Sequence, residues 1–395
     1  MEIPFLSGVS GPDGRYPVNL FFVPETERGR AALIGTPGLL EYLDLSHYAE
    51  VRGLHVMNGL LYAVCGNTLY SITSDRIKTN LGTLLTATGH VFMSDNGTQL
   101  LISDGTHGYL YPIGGTFAKI ADTDFPGATS VTFQDTYFIV TEPGTGKIWI
   151  SAQNDGTSWD ALDYATAEGA PDDALCVVSN NRELWVFGSE STEIYYNSGD
   201  VDFPFERIQG GFLEGGIAAS NSVVKQEGSF FGLDDHGLVR LTRGLEGSIV
   251  STPEIARHIA SYSTISDAFS FSYVYQGNIF FQLTFPTANK SWLYNVTTGF
   301  WSELRSYPRD GEGNEGRHRA NCYAYFDRKH IVGDYENGKL YQFDGDTYTD
   351  NGEIITRQRT APEIHADRKT IVFSDLEIEF KAGVGLVTQL VEMDN

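Results

Sequence analysis

A repeat of paired apolar runs recurs seven times and constrains the fold more than any other feature of this chain. In each copy, a turn with Gly, Asn or Asp leads into an apolar aromatic run, and a second turn leads into another run. The first runs cover residues 58–64, 96–103, 134–140, 180–187, 226–233, 276–283 and 327–334, and the second runs cover residues 67–72, 108–113, 147–152, 192–197, 237–242, 291–296 and 338–343. Successive first runs start 38, 38, 46, 46, 50 and 51 residues apart. A period of about 40–50 residues is typical of β-propeller blades.

This repeat predicts an all-β chain folded as a β-propeller of about seven blades, with six to eight left open. Each unit has the pattern of a small antiparallel sheet with two apolar faces, and neither face is buried until neighbouring sheets stack against it. The 24 Phe, 21 Tyr and 43 Gly against 4 Met also favour aromatic strands broken by tight turns. A helical solenoid would need a 3.6-residue period, which is absent, and a β-sandwich would not repeat matched pairs at this spacing.

The segments that flank the repeats are expected to complete the ring. We assign residues 1–50 to N-terminal strands that join the ring, 51–350 to the propeller repeats, and 351–395 to C-terminal strands that close or flank the propeller. Residues 30–45 are suited to sharing a blade with the C-terminal strands.

One short helix is predicted in a loop between two blades. Thr252 is suited to the N-cap and Pro253 to the first helical position. Apolar residues then follow on one side, namely Ile255, Ala256, Ile259 and Tyr262.

No residue pattern predicts an enzyme, a cofactor or a metal site. The GTGK stretch at residues 144–147 is followed by Ile148, where a phosphate-binding loop needs Ser or Thr, so we interpret it as a hairpin turn. The nine histidines show no metal-ligand spacing, and His55, His90 and His330 are expected to have backbone partners. The three cysteines lie far apart without a CxxC motif, which indicates reduced packing residues: Cys65, Cys176 and Cys322.

One alternative function remains open, a carbohydrate-binding or glycan-hydrolysing propeller. Residues 152–159 resemble a degenerate Asp-box, the hairpin turn of sialidase-like propellers, with matching Gly156 and Trp159 but with Asn154 in place of Asp. The resemblance implies a folding element remote from catalysis. Exposed Trp and Tyr side chains would be able to stack on sugar rings.

The charge of the chain argues against nucleic-acid recognition. Lys and Arg number 27 and Asp and Glu number 51, which gives a formal net charge of −24. A charge of this sign repels polyanions, so sequence-specific DNA binding is not expected. The sequence starts without a basic region before an apolar run, and it has no apolar stretch of about 18 residues. We therefore expect a soluble product with no membrane insertion.

Two long stretches resemble a family of phage proteins. Residues 156–173 (GTSWDALDYATAEGAPDD) and residues 181–216 (NRELWVFGSESTEIYYNSGDVDFPFERIQGGFLEGG) are similar to the signature region of packaged-DNA stabilisation proteins, the tail nozzle or tail hub of short-tailed bacteriophages. Further similarity covers residues 18–25, 32–39, 51–64, 130–146 and 283–301. The resemblance extends over most of the chain to about residue 345.

The resemblance implies a structural virion protein without enzymatic activity. It implies a hexameric ring of copies in the tail, below the portal and adaptor rings, which closes the genome channel and retains packaged DNA until ejection. The implied partners are the head-to-tail adaptor protein, the tail needle and a tailspike or fibre, while genomic DNA passes through without sequence-specific binding. Assembly is expected in the host bacterial cytoplasm.

We predict partner contacts on two loops, because binding residues concentrate on loops held by a rigid scaffold. The loops are residues 199–207 and 305–319, and the candidate contact residues are Asp202, Phe203, Phe205, Arg309, Glu312 and Arg317. Two alternatives stay open. Phe203 and Phe205 flank Pro204 and could equally form a plug buried within a blade, and the charged loop could be a plain solvent-exposed connection.

Overall fold

Seven antiparallel sheets follow one another along the chain as the blades of a propeller. The computed structural model describes residues 16–24, 32–167, 169–200, 203–244, 246–308 and 314–360. Six sheets have four strands each, and the seventh has a four-stranded core with two added strands. The predicted all-β propeller is confirmed, with seven blades.

Each blade is built in chain order from an inner strand to an outer one. The inner strands are β4 (Val51–Met57), β8 (Phe92–Asp95), β12 (Val131–Gln134), β16 (Ala174–Asn180), β20 (Val224–Gln226), β24 (Phe269–Tyr275) and β28 (Ala320–Phe326). The second strands are β5 (Leu60–Cys65), β9 (Gln99–Ser103), β13 (Tyr137–Thr141), β17 (Glu183–Gly188), β21 (Ser229–Leu233), β25 (Asn278–Phe285) and β29 (Lys329–Asp334). The third strands are β6 (Thr68–Ile72), β10 (Gly108–Pro112), β14 (Lys147–Ala152), β18 (Ser191–Asn197), β22 (Val239–Arg243), β26 (Lys290–Asn295) and β30 (Lys339–Asp344).

The outer strands vary most in length. They are β7 (Lys78–Thr83), β11 (Ala118–Lys119), β15 (Asp155–Thr166), β19 (Phe205–Glu214), β23 (Glu246–Ile249), β27 (Phe300–Leu304) and, in blade 7, β3 (Gly38–Asp44). The paired runs of the sequence repeat therefore correspond to the second and third strands, the two central strands of every blade.

The blades bury apolar side chains on both faces. In β5, Leu61 and Ala63 pack towards blade 7, whereas Tyr62 and Val64 pack towards blade 2. This alternation follows from the two-residue period of a strand. Among the described residues, seven apolar clusters are found, one between each pair of adjacent blades around the ring. The core is therefore a circle of interfaces between sheets.

Tight turns connect the inner and second strands. Asn58 and Gly59 both have positive φ, as do Asp327 and Arg328 in the corresponding turn of blade 7. Two-residue turns with positive φ at both positions match the twist of a β-hairpin, which explains the Asn-Gly signal in the sequence.

An N-terminal strand closes the ring. Strand β3 pairs antiparallel with β30 and becomes the outer strand of blade 7, although the two lie about 300 residues apart. The short strands β31 (Thr349–Asp350) and β32 (Glu353–Ile354) then extend the sheet, with a parallel bridge between Leu39 and Asp350. The segment around residues 30–45 thus shares a blade with strands from the other end of the propeller.

A second N-terminal element joins the same region. Strand β1 (Leu20–Val23) forms a hairpin with β2 (Ala32–Gly35). Val18, two residues before β1, forms isolated bridges to Glu303 of blade 6 and to Gln358. The described parts of both flanking segments are therefore tied to blades 6 and 7, while residues 1–15, 25–31 and 361–395 lie outside the described part of the chain.

The predicted helix is confirmed between blades 5 and 6. Helix α1 spans Pro253–Ala260, and the Thr252 side chain accepts a hydrogen bond from the Ile255 backbone N–H. Ile255 and Ile259 are fully buried in the cluster between these blades. A turn of 3₁₀-helix also precedes β20 at Ser220–Ser222.

We predict that removing apolar contacts of the closing strand weakens the whole propeller. Leu39→Ala should lower the free energy of unfolding by about 2–4 kcal/mol, because Leu39 lies buried between blades 6 and 7. Leu40→Ala is the matched control, since the neighbouring side chain points to solvent and is 46% exposed. Urea denaturation followed by intrinsic fluorescence measures both variants. Equal losses in the two variants would show that the Leu39 side chain does not contribute to the contact between blades 6 and 7.

Candidate functional site at the channel mouth

Two aromatic rings meet across the propeller axis at one end of the central channel. His90 lies just before the inner strand of blade 2, and Phe269 opens the inner strand of blade 6. Their ring centroids are 4.2 Å apart, although blades 7 and 1 lie between their blades around the ring. We define His90, Phe269, Arg317 and Tyr335 as the channel mouth. The channel is therefore occupied by side chains at this end.

Arg317, one of the predicted contact residues, packs into the channel mouth. Its guanidinium carbon lies 4.0 Å from the centroid of the Tyr335 ring and 5.9 Å from that of Phe269. Its backbone N–H donates a 2.9 Å hydrogen bond to Oδ1 of Asn289. Desolvation by burial lowers the pKa of Arg317 and raises the pKa of Tyr335 to about 12. The guanidinium is thus held by aromatic packing.

A buried arginine holds the segment that carries His90. Arg52 is fully buried on β4, and its Nη1 donates to the carbonyl oxygens of Gly66 and Thr86 at 3.0 and 2.9 Å. Its Nε donates to the Gly89 carbonyl and its Nη2 to Oγ1 of Thr86. Burial, followed by the nearby charge of Arg317, lowers the pKa of His90 to about 4. His90 is therefore neutral at physiological pH, which suits its contact with Phe269.

A second buried arginine fixes the base of the mouth in blade 7. Arg319 makes two hydrogen bonds to the Asp334 carboxylate, at 2.7 Å from Nε and 3.1 Å from Nη2. Nη2 also lies 2.9 Å from Oε2 of Glu336. Burial opposes the charge of Arg319, but the two acids outweigh it and raise its pKa. Arg319 thereby links the residues on either side of Tyr335, Asp334 at the end of β29 and Glu336 in the following turn, to the loop that carries Arg317.

The 305–319 loop is closed at its base. Ser306 and Gly316 form an antiparallel bridge, in which Gly316 N–H donates to the Ser306 carbonyl at 2.9 Å. Two of the predicted contact residues on this loop, Arg309 and Glu312, lie outside the described residues. Of the three predicted contact residues on this loop, Arg317 alone lies among the described residues.

The second predicted loop contributes mainly to blade packing. Phe205 is 2% exposed and packs edge-on against Tyr137, with ring centroids 6.1 Å apart, in the cluster between blades 3 and 4. Phe203 is half-buried and packs against the same cluster. A side chain as buried as Phe205 has no surface for a partner, so its position is that of the blade plug. Asp202 lies outside the described residues.

No tryptophan side chain offers an exposed ring face on which a sugar could stack. All five Trp residues are at most 8% exposed. Trp149 stacks on the partly exposed Tyr164 ring, with the two ring centroids 4.9 Å apart. The Lys147 ammonium also lies 4.5 Å from the centroid of the Tyr164 ring. Trp159 of the Asp-box-like turn is buried between blades 2 and 3, and its Nε1 donates to the Gly156 carbonyl. This turn is a folding element.

A surface cleft of about 500 Å³ beside blade 2 also lacks a catalytic arrangement. Its walls include His107, Lys119, Phe125 and one acid, Asp122. Both carboxylate oxygens of Asp122 accept backbone N–H groups, from Asp124 and Trp159. Glycoside hydrolysis requires two disposed carboxyl groups, and this cleft presents a single acid that is already engaged.

One group of potential metal ligands occurs among the described residues, namely Asp234, Asp235 and His236 in a turn of blade 5. Oδ2 of Asp234 accepts a 2.6 Å hydrogen bond from Nε of Arg240, and Oδ1 accepts the N–H groups of His236 and Leu238. The buried member of the group is therefore committed to the turn and to Arg240.

His55, His330 and the three cysteines have structural roles. His55 and His330 have side-chain partners, Asp95 at 2.6 Å and the Tyr323 hydroxyl at 2.9 Å, rather than the expected backbone ones. The three cysteines form no disulfide. Burial raises the pKa values of Cys65 and Cys176 to about 12, so neither is a reactive thiolate at neutral pH.

Comparison with known families identifies the chain. The family model described as "Bacteriophage P22 Gp10, beta-propeller" matches residues 1–348. The chain belongs to this family. It is therefore a bacteriophage protein of a structural β-propeller family, as the sequence resemblance implies. Comparison with curated proteins gives no matching relative.

Solved structures share the fold at low sequence identity. The extracellular domain of the one-component system BT4673 from B. thetaiotaomicron is 11% identical, with a TM-score of 0.52 over 85% of this chain and 47% of that one. A second structure, of the extracellular domain described as the hybrid two-component system BT4673 from the same organism, is 10% identical, with a TM-score of 0.53 over 82% of this chain and 46% of that one. This chain spans less than half the length of both, and the likeness bears on the fold alone.

No helix in the described ranges is long and apolar enough to span a membrane.

We predict that Arg317 contributes to stability through the channel mouth. Arg317→Ala should lower the free energy of unfolding by about 1 kcal/mol, because the cation–π contact with Tyr335 is lost. Arg257→Ala on the exposed side of the helix is the control and should change stability little. Thermal unfolding by circular dichroism compares the two. An unchanged midpoint for Arg317→Ala would mean that this side chain is not held by its ring contacts.

Proposed function

We propose that the chain is a subunit of the phage tail nozzle, a structural ring below the portal and adaptor rings. In this role it closes the genome channel and retains packaged DNA until ejection. The observation that carries the proposal is the family match over residues 1–348 to phage Gp10 propellers. The closed ring of two-faced blades supports it, because such a scaffold is stiff and presents its loops and edges to partners.

The channel mouth bears on how such a ring would conduct DNA. His90 and Phe269 meet across the axis, so the propeller's own channel offers no through passage for a duplex at this end. A conduit therefore requires a lumen enclosed by several copies. This requirement supports a ring of several propellers placed side by side, and the proposed number of six copies follows from the family resemblance.

The electrostatics suit a conduit for DNA. The net charge is −24, and two of the 27 cationic side chains, Arg52 and Arg319, are buried in the blades. A wall with this excess of acids repels phosphates and gives no counterion-release affinity. DNA would pass without sequence-specific binding.

The proposed partners are the head-to-tail adaptor protein above the ring, and the tail needle with a tailspike or fibre below it. Contacts are placed on loops at the ends of the blades, including the 305–319 loop, whose base at Ser306 and Gly316 is tied to the propeller. A loop fixed at its base can present its outer part to a partner without disturbing the blades. The proposed location is the tail of the virion, after assembly in the host cytoplasm.

We predict that the purified chain forms closed rings when mixed with its phage's adaptor assembly. Single-particle cryo-electron microscopy should show six propellers around a central lumen, and the same density should occur in virion tails. The adaptor alone and the propeller alone serve as controls. A chain that stays monomeric with the adaptor, and that mass spectrometry does not find in purified virions, would overturn the nozzle proposal.

We also predict negligible affinity for duplex DNA. Fluorescence anisotropy with a labelled duplex at about 0.15 M salt should give no saturable binding at protein concentrations up to about 10 μM, because a net charge of −24 repels the phosphates. A basic DNA-binding protein of similar size serves as the positive control. Tight, salt-sensitive binding would contradict the proposed passive conduit.

A further inference from the structure

A buried carboxyl group lies where three segments of the fold meet. Asp350 is 3% exposed and belongs to β31, which follows the last blade strand. It forms the parallel bridge to Leu39 of the closing strand β3. Its Oδ2 accepts a 2.7 Å hydrogen bond from Oγ of Ser306, at the base of the 305–319 loop. One side chain thus connects the ring closure to a loop base.

The carboxyl group of Asp350 accepts few hydrogen bonds. Oδ1 of Asp350 has no hydrogen-bond partner among the described residues. A buried ionised carboxylate needs several donors to offset its lost hydration, whereas the protonated group needs fewer and can itself donate. The Asp350 environment therefore favours the neutral form.

The charged groups around Asp350 are mostly committed elsewhere. Nε2 of His318 lies 4.0 Å from Oδ2, but burial and the charge of Arg319 lower the pKa of His318 to about 4, so it is neutral above that pH. The Arg319 guanidinium pairs with Asp334 and Glu336. On the remaining side, Nη2 of Arg357 donates to the Thr36 carbonyl at 3.1 Å and the guanidinium packs on the Tyr348 ring. Its Nε has no hydrogen-bond partner among the described residues, so Arg357 acts on Asp350 through its charge and not through a hydrogen bond.

The acid on the neighbouring outer strand of blade 6 is also paired. Glu303 lies against Lys290 and Arg305, and these partners lower its pKa despite its burial. It therefore does not titrate in the neutral range. Among these groups, Asp350 is the one whose ionisation falls near physiological pH.

We propose that Asp350 is a proton-dependent latch, which in its protonated form holds the base of the 305–319 loop and the closing strand together and in its ionised form loosens both. The geometry that carries this inference is the buried carboxyl group with one donor on Oδ2, none on Oδ1, and a bridge to Leu39. This inference about Asp350 does not rest on the proposed tail function, because its test uses the isolated chain.

The expected direction with pH follows from the two protonation states. Burial raises the pKa of Asp350 to about 7, and the Ser306 hydrogen bond, the charges of Arg319 and Arg357 and the nearby backbone N–H of Leu39, which does not complete a hydrogen bond to the carboxyl group, lower it by less. In the unfolded chain, an aspartate ionises near about 3.9. The latch's contribution to stability is thus complete below about pH 4 and is lost as the pH rises through about 7.

The test compares the full-length chain with Asp350→Asn and with the matched control Asp346→Asn, which removes an exposed charge from the same segment. Between pH 5 and pH 8, the melting temperature of the wild type and of Asp346→Asn should fall by at least about 3 °C more than that of Asp350→Asn. Protection factors from hydrogen exchange at Ser306 and Gly316 should drop over the same range in the wild type and stay level in Asp350→Asn. Identical pH profiles for all three proteins would overturn the latch.

A second variant keeps the proposal testable if Asp350→Asn does not fold. Ser306→Ala removes the hydroxyl that donates to Oδ2, and with it the contact that joins Asp350 to the loop base. The pH-dependent loss of protection at Gly316 should therefore largely disappear, whereas the fall of the melting temperature between pH 5 and pH 8 should remain, because the carboxyl group stays buried. A loss of protection at Gly316 as large as in the wild type would show that Asp350 does not control the loop base.

Discussion

Every blade of this protein is apolar on both faces, and the rest of the structure depends on that constraint. The alternation within β5, in which Leu61 and Tyr62 point to opposite neighbours, leaves no blade stable by itself. Burying all the faces requires a ring, and a ring requires the last blade to meet the first. Strand β3 supplies this closure by completing blade 7, so the seven apolar clusters form an unbroken circle. The loops and the channel mouth are held in place by that circle.

The central strands could be predicted from the sequence, whereas the inner and outer strands could not. Strands such as β5 and β6 alternate between two buried faces and are bounded by clear turn residues, so their pattern repeats strongly. The inner strand β20 has three residues and the outer strand β11 has two, which is too short for a periodic signal. Strand β15 has twelve residues, but irregular register interrupts its alternation. For β3 the sequence predicts a blade shared with strands from the other end of the chain, but the identity and register of its partner β30 depend on ring geometry, which local sequence does not contain.

The candidate site could be predicted only in part, because the environment of a loop residue depends on neighbouring blades. Arg317 stands in a charged, Gly-containing segment whose sequence predicts a partner contact, yet the ring of Tyr335 lies 4.0 Å from its guanidinium carbon. Phe205 follows a segment with the pattern of a turn, yet its side chain is buried against residues of blade 3. His90 and Phe269 are 179 positions apart in the chain, so their contact across the axis has no signal in a single sequence. The prediction that catalysis is absent rests on spacing and motifs, and the family is structural.

Ring closure by β3 also has a consequence for biosynthesis. Residues 38–44 leave the ribosome about 300 residues before their partner strand, residues 339–344. Until then the nascent chain keeps one apolar face of blade 1 open to solvent and carries an unpaired strand, a state that chaperones bind and proteases cleave. Prematurely terminated chains never acquire the partner strand and remain in that state. Ring closure by β3 therefore requires translation to pass the last blade strand, so chains that terminate before it cannot complete the folded propeller.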